Sequence, residues 1–271
     1  MGPSATLPGR PRHPSAGNLD ARPSLVRDGE APAALPPASF PHGAEASREV
    51  VQLGPDLDDE SLSRLIGPVE GRRVLDLGCG AGAAAIALAR RGARVTAVEA
   101  STARLAQARA AADLAEVKIE FHHSDLADLA FVRADAVDLV LSIYSLAGVQ
   151  DLGRVFRQVH RVLTPESTLL VSLPHPFATM LEFDGDEQQQ TPYLTRTAWS
   201  SPPIAWRAAG DEGVTHVHQI GDVFTTMIRS NFRVDALIEP APEGDRRGIH
   251  SSSMSDWVPS TLVVRGRKLG I

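Results

Sequence analysis

From Arg73 onward the chain alternates short apolar runs with longer segments whose apolar residues recur at helical spacing. The runs Arg73–Leu77, Arg94–Glu99, Lys118–His122, Val137–Ile143 and Thr168–Leu173 read as buried strands. Ahead of them, Asp58 or Asp59 is placed to cap a short helix through Leu62, Leu65 and Ile66, broken by Gly67-Pro68. The segments between strands read as helices. One holds Ile86, Leu88 and Ala89 and stops at Gly92; the next follows a Ser101 cap, with Leu105, Ala108, Ala112 and Ala115 near one face. A third follows an Asp151 cap, with Val155, Phe156, Val159, Val162 and Leu163 inward. Strand and helix in regular alternation predict an α/β fold, a doubly wound parallel sheet with helices on both faces.

Two stretches depart from this rhythm. Beyond Pro174 it lapses, and the segment from about 177 to 215, with Tyr193, Trp199, Pro202-Pro203 and Trp206, is too apolar for a linker and reads as an insertion. The rhythm then resumes, with Asp222 capping a helix that turns Val223, Phe224, Met227 and Ile228 inward, and with strands Phe232–Ile238 and Ser260–Arg267 close enough to pair antiparallel. At the other end, nine of the 20 prolines fall in residues 1–45, where Phe40 is the sole aromatic residue and no period appears. Residues 1–45 are expected to be a disordered tail and residues 46–271 a single domain.

Composition narrows the function classes. With 271 residues and 43% hydrophobic content the chain can bury an ordinary core. A net charge of -6 has the wrong sign for general attraction to polyanions and counts against nucleic acid as a partner. One cysteine makes no internal disulfide, and no apolar run reaches the roughly 18 residues of a membrane span. Pro3, Pro8, Pro11 and Pro14 interrupt what a secretory signal would need as a continuous apolar stretch, so a cytoplasmic location is expected.

The chemistry centres on Val74-Leu75-Asp76-Leu77-Gly78-Cys79-Gly80-Ala81-Gly82, a strand passing through alternate glycines into a helix. Gly78 and Gly80 let the backbone turn and approach a ligand, and Gly82 is expected to let helix and strand pack tightly. Read with Ala83, the spacing also fits the dinucleotide pattern, so glycines alone do not choose the nucleotide. Charge does. No Lys or Arg occurs from Val74 to Ala89, and Asp76 stands beside the loop, which disfavours a pyrophosphate. Asp76, Glu99 and Asp125 lie at or just past the carboxyl ends of the first three strands, where open α/β sheets bind ligands, and suit a cationic, phosphate-free nucleoside.

These residues resemble the class I S-adenosylmethionine-dependent methyltransferases, particularly the small-molecule type related to the ubiquinone/menaquinone group. The resemblance runs from about Gly54 to the C-terminus and rests on Asp76 to Gly82, Val98-Glu99-Ala100-Ser101, Ser124-Asp125-Leu126 and Val137 to Ser142. It implies S-adenosyl-L-methionine as cofactor, with the loop of Gly78, Cys79, Gly80 and Gly82 under the methionine portion, Glu99 on the ribose hydroxyls and Asp125 on the adenine amino group. Ala100, Leu126 and Ser142 join that set by the same likeness. It also implies a Rossmann-like seven-stranded sheet of order 3-2-1-4-5-7-6 with strand 7 antiparallel. One departure is Pro165-Glu166-Ser167, where the family usually has Pro-Gly-Gly and glycine's freedom for positive φ.

The acceptor side is marked more faintly. Tyr144 follows the fourth strand and His175 the fifth, both at the edge where a methyl group would be presented, so each is a candidate to orient or deprotonate an acceptor. His216 and His218 alternate on one side of a short extended segment; His218 is taken as a pocket residue, and no metal site is expected because no third ligand has suitable spacing. The expected reaction is in-line methyl transfer to an O, N or C nucleophile of a small molecule. An RNA-modifying methyltransferase would show a basic cleft, which the scattered Arg207, Arg229, Arg246 and Arg247 do not establish, and a non-catalytic cofactor-binding protein would keep the same glycine loop.

Overall fold

A parallel strand carries apolar residues on both faces, and burial of nearly every position in Arg73–Leu77 and Val137–Ile143 reflects a sheet covered on both sides. The computed structural model describes residues 51, 53, 64–184, 191–199, 202–208, 211–241 and 257–270; the Pro-rich start and the proposed cap at Asp58 or Asp59 lie outside them. Strands β1 (Arg73–Leu77), β2 (Arg94–Glu99), β3 (Ile119–His123), β4 (Val137–Ile143) and β5 (Leu163–Pro174) pair in parallel, and β10 (Phe232–Ile238) and β11 (Thr261–Lys268) complete the sheet. Its order is β10-β11-β5-β4-β1-β2-β3, with β11 antiparallel to both neighbours. Counting only these strands, this is 3-2-1-4-5-7-6, a Rossmann-like arrangement with the seventh strand reversed.

Among the described residues, two long helices pack on each face of the sheet, with the helical residues 64–66 adding Leu65 and Ile66 to one face. Helices α1 (Ala83–Arg90) and α2 (Thr102–Leu114) pack Ala85, Leu88 and Ala108 against Val74, Val95, Ala97 and Leu141. On the opposite face α3 (Leu152–Val162) and α4 (Ile220–Arg229) bury Val155, Phe156, Val159, Val223 and Met227 against Leu75, Val140, Leu169 and Val264. Ser101 and Asp151 cap α2 and α3 by accepting the N–H of Arg104 and Arg154. Helix α4 differs from expectation. It begins after Gln219, with Asp222 inside its first turn; Val223 and Met227 are buried in the core with Ile220 packed partly buried beside them, while Phe224 and Ile228 are 41% and 49% exposed. Positions four apart share one stripe, and here the stripe is narrow.

The segment from 177 to 215 holds two antiparallel hairpins, β6 (Leu181–Asp184) with β7 (Thr191–Leu194) and β8 (Ile204–Ala208) with β9 (Asp211–Thr215). At the entry to β5, Glu166 takes a left-handed φ of 60°, so the turn keeps the conformation its missing glycine would have supplied, with a side chain bearing the strain.

Candidate active site

The glycine loop is shaped by neighbours that leave no room for a side chain. Gly78 has φ 82°, and a Cβ there would lie 2.1 Å from Cβ of Ser145, in the 3-10 turn Ser145–Gly148 that follows β4. Ser145 Oγ donates to the Leu77 carbonyl at 2.6 Å. Its single proton is thereby used, so Ser142, 2.6 Å away, is the donor to Ser145 Oγ. Ser142 is fully buried in this chain of hydroxyls, and its contribution to the loop passes through Ser145, a residue the sequence pattern did not single out. Gly82 caps α1, and a Cβ there would meet Ala108 of α2 at 3.1 Å. Its smallness therefore serves helix-to-helix approach, and the expected helix-to-strand contact is corrected on that point.

Glu99 joins the ends of β1 and β2. One carboxylate oxygen accepts the Gly80 N–H and the other the Ser101 N–H, both at 2.9 Å, and the residue is almost wholly buried. Each oxygen keeps a lone pair, so a vicinal diol could add two hydrogen bonds to a group whose orientation is already set. Above Gly80 the space is open. Asp76 lies within β1 beneath the loop, 1% exposed. Burial, with the Glu99 charge adding to it, pushes its carboxyl up to about 7 despite an N–H bond from Ala85 at the start of α1. Its Oδ2 is buried without a partner among the described residues.

The remaining expected cofactor residues are placed as follows. Asp125, exposed after β3, accepts the Ala127 N–H on Oδ1 at 2.7 Å in a local turn. Leu126 is buried and would touch a Cβ on Gly78 at 3.4 Å. The Ala100 carbonyl bonds with His123 Nε2 at 2.8 Å. Cys79 is buried, and burial, reinforced by Asp76 and Glu99, pushes its thiol far above the ordinary range, which keeps it protonated and unfit as a nucleophile.

At the other edge, Tyr144 has a left-handed φ of 57°, is buried, and shares a short hydrogen bond with Thr261 Oγ1 at the start of β11. His175 is fully buried. Its Nδ1 accepts the Phe177 N–H at 3.2 Å, which leaves Nε2 as the donor to Glu239 Oε1 at 2.8 Å. Both ring nitrogens are therefore engaged within the protein, and the ring holds the end of β5 to the segment after β10. Glu239 and Thr261 were missed in the sequence because nothing local marks a partner on a distant strand. His218 Nε2 bonds the Val149 carbonyl at 2.9 Å, with its pKa lowered chiefly by burial, and sits 6.4 Å from the His216 ring. No cluster of three metal-ligating side chains occurs among the described residues. A cavity of about 1170 Å³ lined by Arg94, Lys118, Phe131 and Arg133 contains none of the loop residues and is not part of this site.

The donor set fits a cation-bearing nucleoside: two buried carboxylates, one with an orphaned oxygen, beneath a loop free of basic side chains. Comparison with known proteins agrees. Residues 74–166 match the family described as methyltransferase domain. A solved S-adenosylmethionine-dependent methyltransferase from Mesorhizobium loti superposes with a TM-score of 0.65 at 27% identity, covering 77% of this chain and 96% of that one. Over residues 74–166 and in its fold, the chain is similar to the S-adenosylmethionine-dependent methyltransferases. It is 33% identical over 111 residues to the ubiquinone biosynthesis O-methyltransferase of Alkalilimnicola ehrlichii, covering 41% of this chain and 45% of the relative. Over 124 residues it is 33% identical to the ubiquinone biosynthesis O-methyltransferase of Hahella chejuensis, covering 46% and 50%. The chain thus spans about half the length of the curated relatives it matches. No described helix is long and apolar enough to cross a membrane.

Proposed function

We propose that this protein is an S-adenosylmethionine-dependent methyltransferase that transfers a methyl group to a nucleophile, most readily an oxygen, on a small molecule in the cytoplasm. The observation that carries the reading is Glu99, fixed by two backbone N–H groups so that both oxygens can take a diol. The proposal of oxygen as nucleophile rests on the O-methyltransferases matched above. When bound, S-adenosylmethionine supplies an activated methyl group on a sulfonium. Glu99 would orient the ribose, Asp125 the adenine edge, and the ionised Asp76 would favour the cationic methionine end beside the loop of Gly78, Cys79, Gly80 and Gly82.

Because the methyl group is already activated, alignment and exclusion of water can supply much of the rate. Tyr144 and His175 fit that need as positioning residues, since both tie the acceptor edge to the last strands, and His218 anchors the insertion to the turn after β4. The test is calorimetric titration with S-adenosylmethionine and with NAD, followed by mass-spectrometric detection of S-adenosylhomocysteine across panels of hydroxylated, amino and carbanion-forming acceptors. Binding of S-adenosylmethionine and turnover with hydroxylated acceptors are expected. Binding of NAD alone would sink the reading, and cofactor binding without turnover on any panel would favour a non-catalytic role.

A further inference from the structure

The second hairpin of the insertion reaches beyond the acceptor edge. On one side it is fastened to the turn after β4: His216 N–H donates to the Ala147 carbonyl at 2.7 Å, and His218 Nε2 bonds the Val149 carbonyl. On its other side Trp206 of β8 lies against Arg104 of α2, with the guanidinium carbon 5.7 Å from the ring centroid. Helix α2 follows β2, and Arg104 stands in its first turn, just past Glu99 and Ser101. Strands β4 and β2 are the two neighbours of β1 in the sheet. A hairpin fastened after both must therefore cross the carboxyl end of β1, where the glycine loop lies. The crossing spans two strand spacings, about 10 Å, within the reach of a short hairpin.

Trp206 is the part of this hairpin built for contact. Its Nε1 is buried with no hydrogen-bond partner among the described residues, an unmet donor that a ligand oxygen would satisfy. Opposite it in β9 stands Gly213, where a Cβ would come within 2.8 Å of the indole Cζ2, so the ring occupies the space that a side chain would take. Trp199, the other tryptophan of the insertion, is 88% exposed and shares none of these contacts.

We infer that the β8–β9 hairpin forms the outer wall of the cofactor site and that Trp206 is a cofactor-binding residue, its indole N–H donating to an oxygen of bound S-adenosylmethionine. The inference rests on the proposed function for its ligand and adds a residue from the insertion to the set on the sheet.

The test is binding, not turnover. Titration with S-adenosylhomocysteine, together with its dissociation rate by stopped flow, would be measured for wild type, Trp206→Phe, Trp206→Ala, Arg104→Met and Gly213→Ala. Trp206→Phe keeps the ring face and loses the donor, and should weaken binding roughly 3- to 10-fold. Trp206→Ala should speed dissociation further, and Gly213→Ala, which displaces the ring without altering it, should follow Trp206→Phe. The ligand-free thermal midpoint of Trp206→Phe should stay at the wild-type value. Wild-type affinity in both Trp206 variants would overturn the inference, as would a lowered midpoint with unchanged affinity. Should Trp206→Ala not fold, Trp206→Phe and Gly213→Ala decide alone. Failure of the wild type to bind would instead count against the proposed function.

Discussion

The carboxyl ends of β1 and β2 and those of β4 and β5 lie side by side in one sheet, yet they are built by different means. At the first pair, Glu99 is held by Ser101 two positions away and by Gly80, 19 positions away, both through backbone N–H groups. At the second, Tyr144 meets Thr261 across 117 positions and His175 meets Glu239 across 64, both through side chains. A site made from main chain and glycine is written in a contiguous stretch of sequence. A site made from side chains on distant strands is not.

The largest expected effect strikes the first region. Glu99→Ala removes a buried carboxylate and leaves two N–H groups unpaired, so cofactor affinity measured by calorimetry should fall at least roughly 100-fold. An unchanged affinity would mean that the main-chain scaffold alone holds the ligand.

Asp76 sharpens the same side through pH. Its folded value, about 7, stands above the ordinary 3.8, so the ligand-free fold holds the proton more tightly than the unfolded chain and loses stability as pH rises between these values. The loss is on the order of 4 kcal/mol. A bound cation favours the ionised form, so binding should release a proton, and affinity should drop by up to about tenfold per pH unit below 7. Asp76→Asn should raise the ligand-free thermal midpoint near neutral pH and flatten the affinity profile; a profile that stays steep would place the linked proton elsewhere.

On the acceptor side the effects should fall on stability and turnover with cofactor affinity spared. Tyr144→Phe loses the hydroxyl bond to Thr261 and should cost about 1 kcal/mol in denaturant unfolding. A large loss of cofactor affinity in that variant would erase the division between the two regions. The smallest expected effect is Glu166→Gly, which relieves the left-handed backbone at the entry to β5 and gives up an exposed pair with Arg233. A gain of about 1 kcal/mol or less is expected, and a loss would show that the pair outweighs the strain.

The same division explains what could be read from the residues alone. The parallel sheet was legible because β1 to β5 alternate with helices, while its strand order and the reversal of β11 were anticipated through the family likeness. Asp76 and Glu99 were legible through their place at strand ends. The burial of Asp76 beneath the loop was not, since it depends on Ala85 and Glu99 closing over it together. Ser145 escaped notice because its role arises only where the turn after β4 meets Gly78. Gly82 was recognised as a close-packing position, but its neighbour proved to be Ala108 on the next helix. His175 stood out by position as a candidate to orient or deprotonate an acceptor, and its tie to Glu239 and the Phe177 N–H could not be read from the sequence.

Those ties also set an order of arrival during synthesis. By the time Asp125 has left the ribosome, the strand-end residues Asp76, Glu99 and Asp125 and the glycine loop between them have been made, with Ser145 and Trp206 still to come. Tyr144 and His175 are made soon after, but their partners Glu239 and Thr261 belong to the last stretch of the chain. A nascent chain therefore carries the strand-end part of the donor site well before it can complete the edge facing the methyl acceptor.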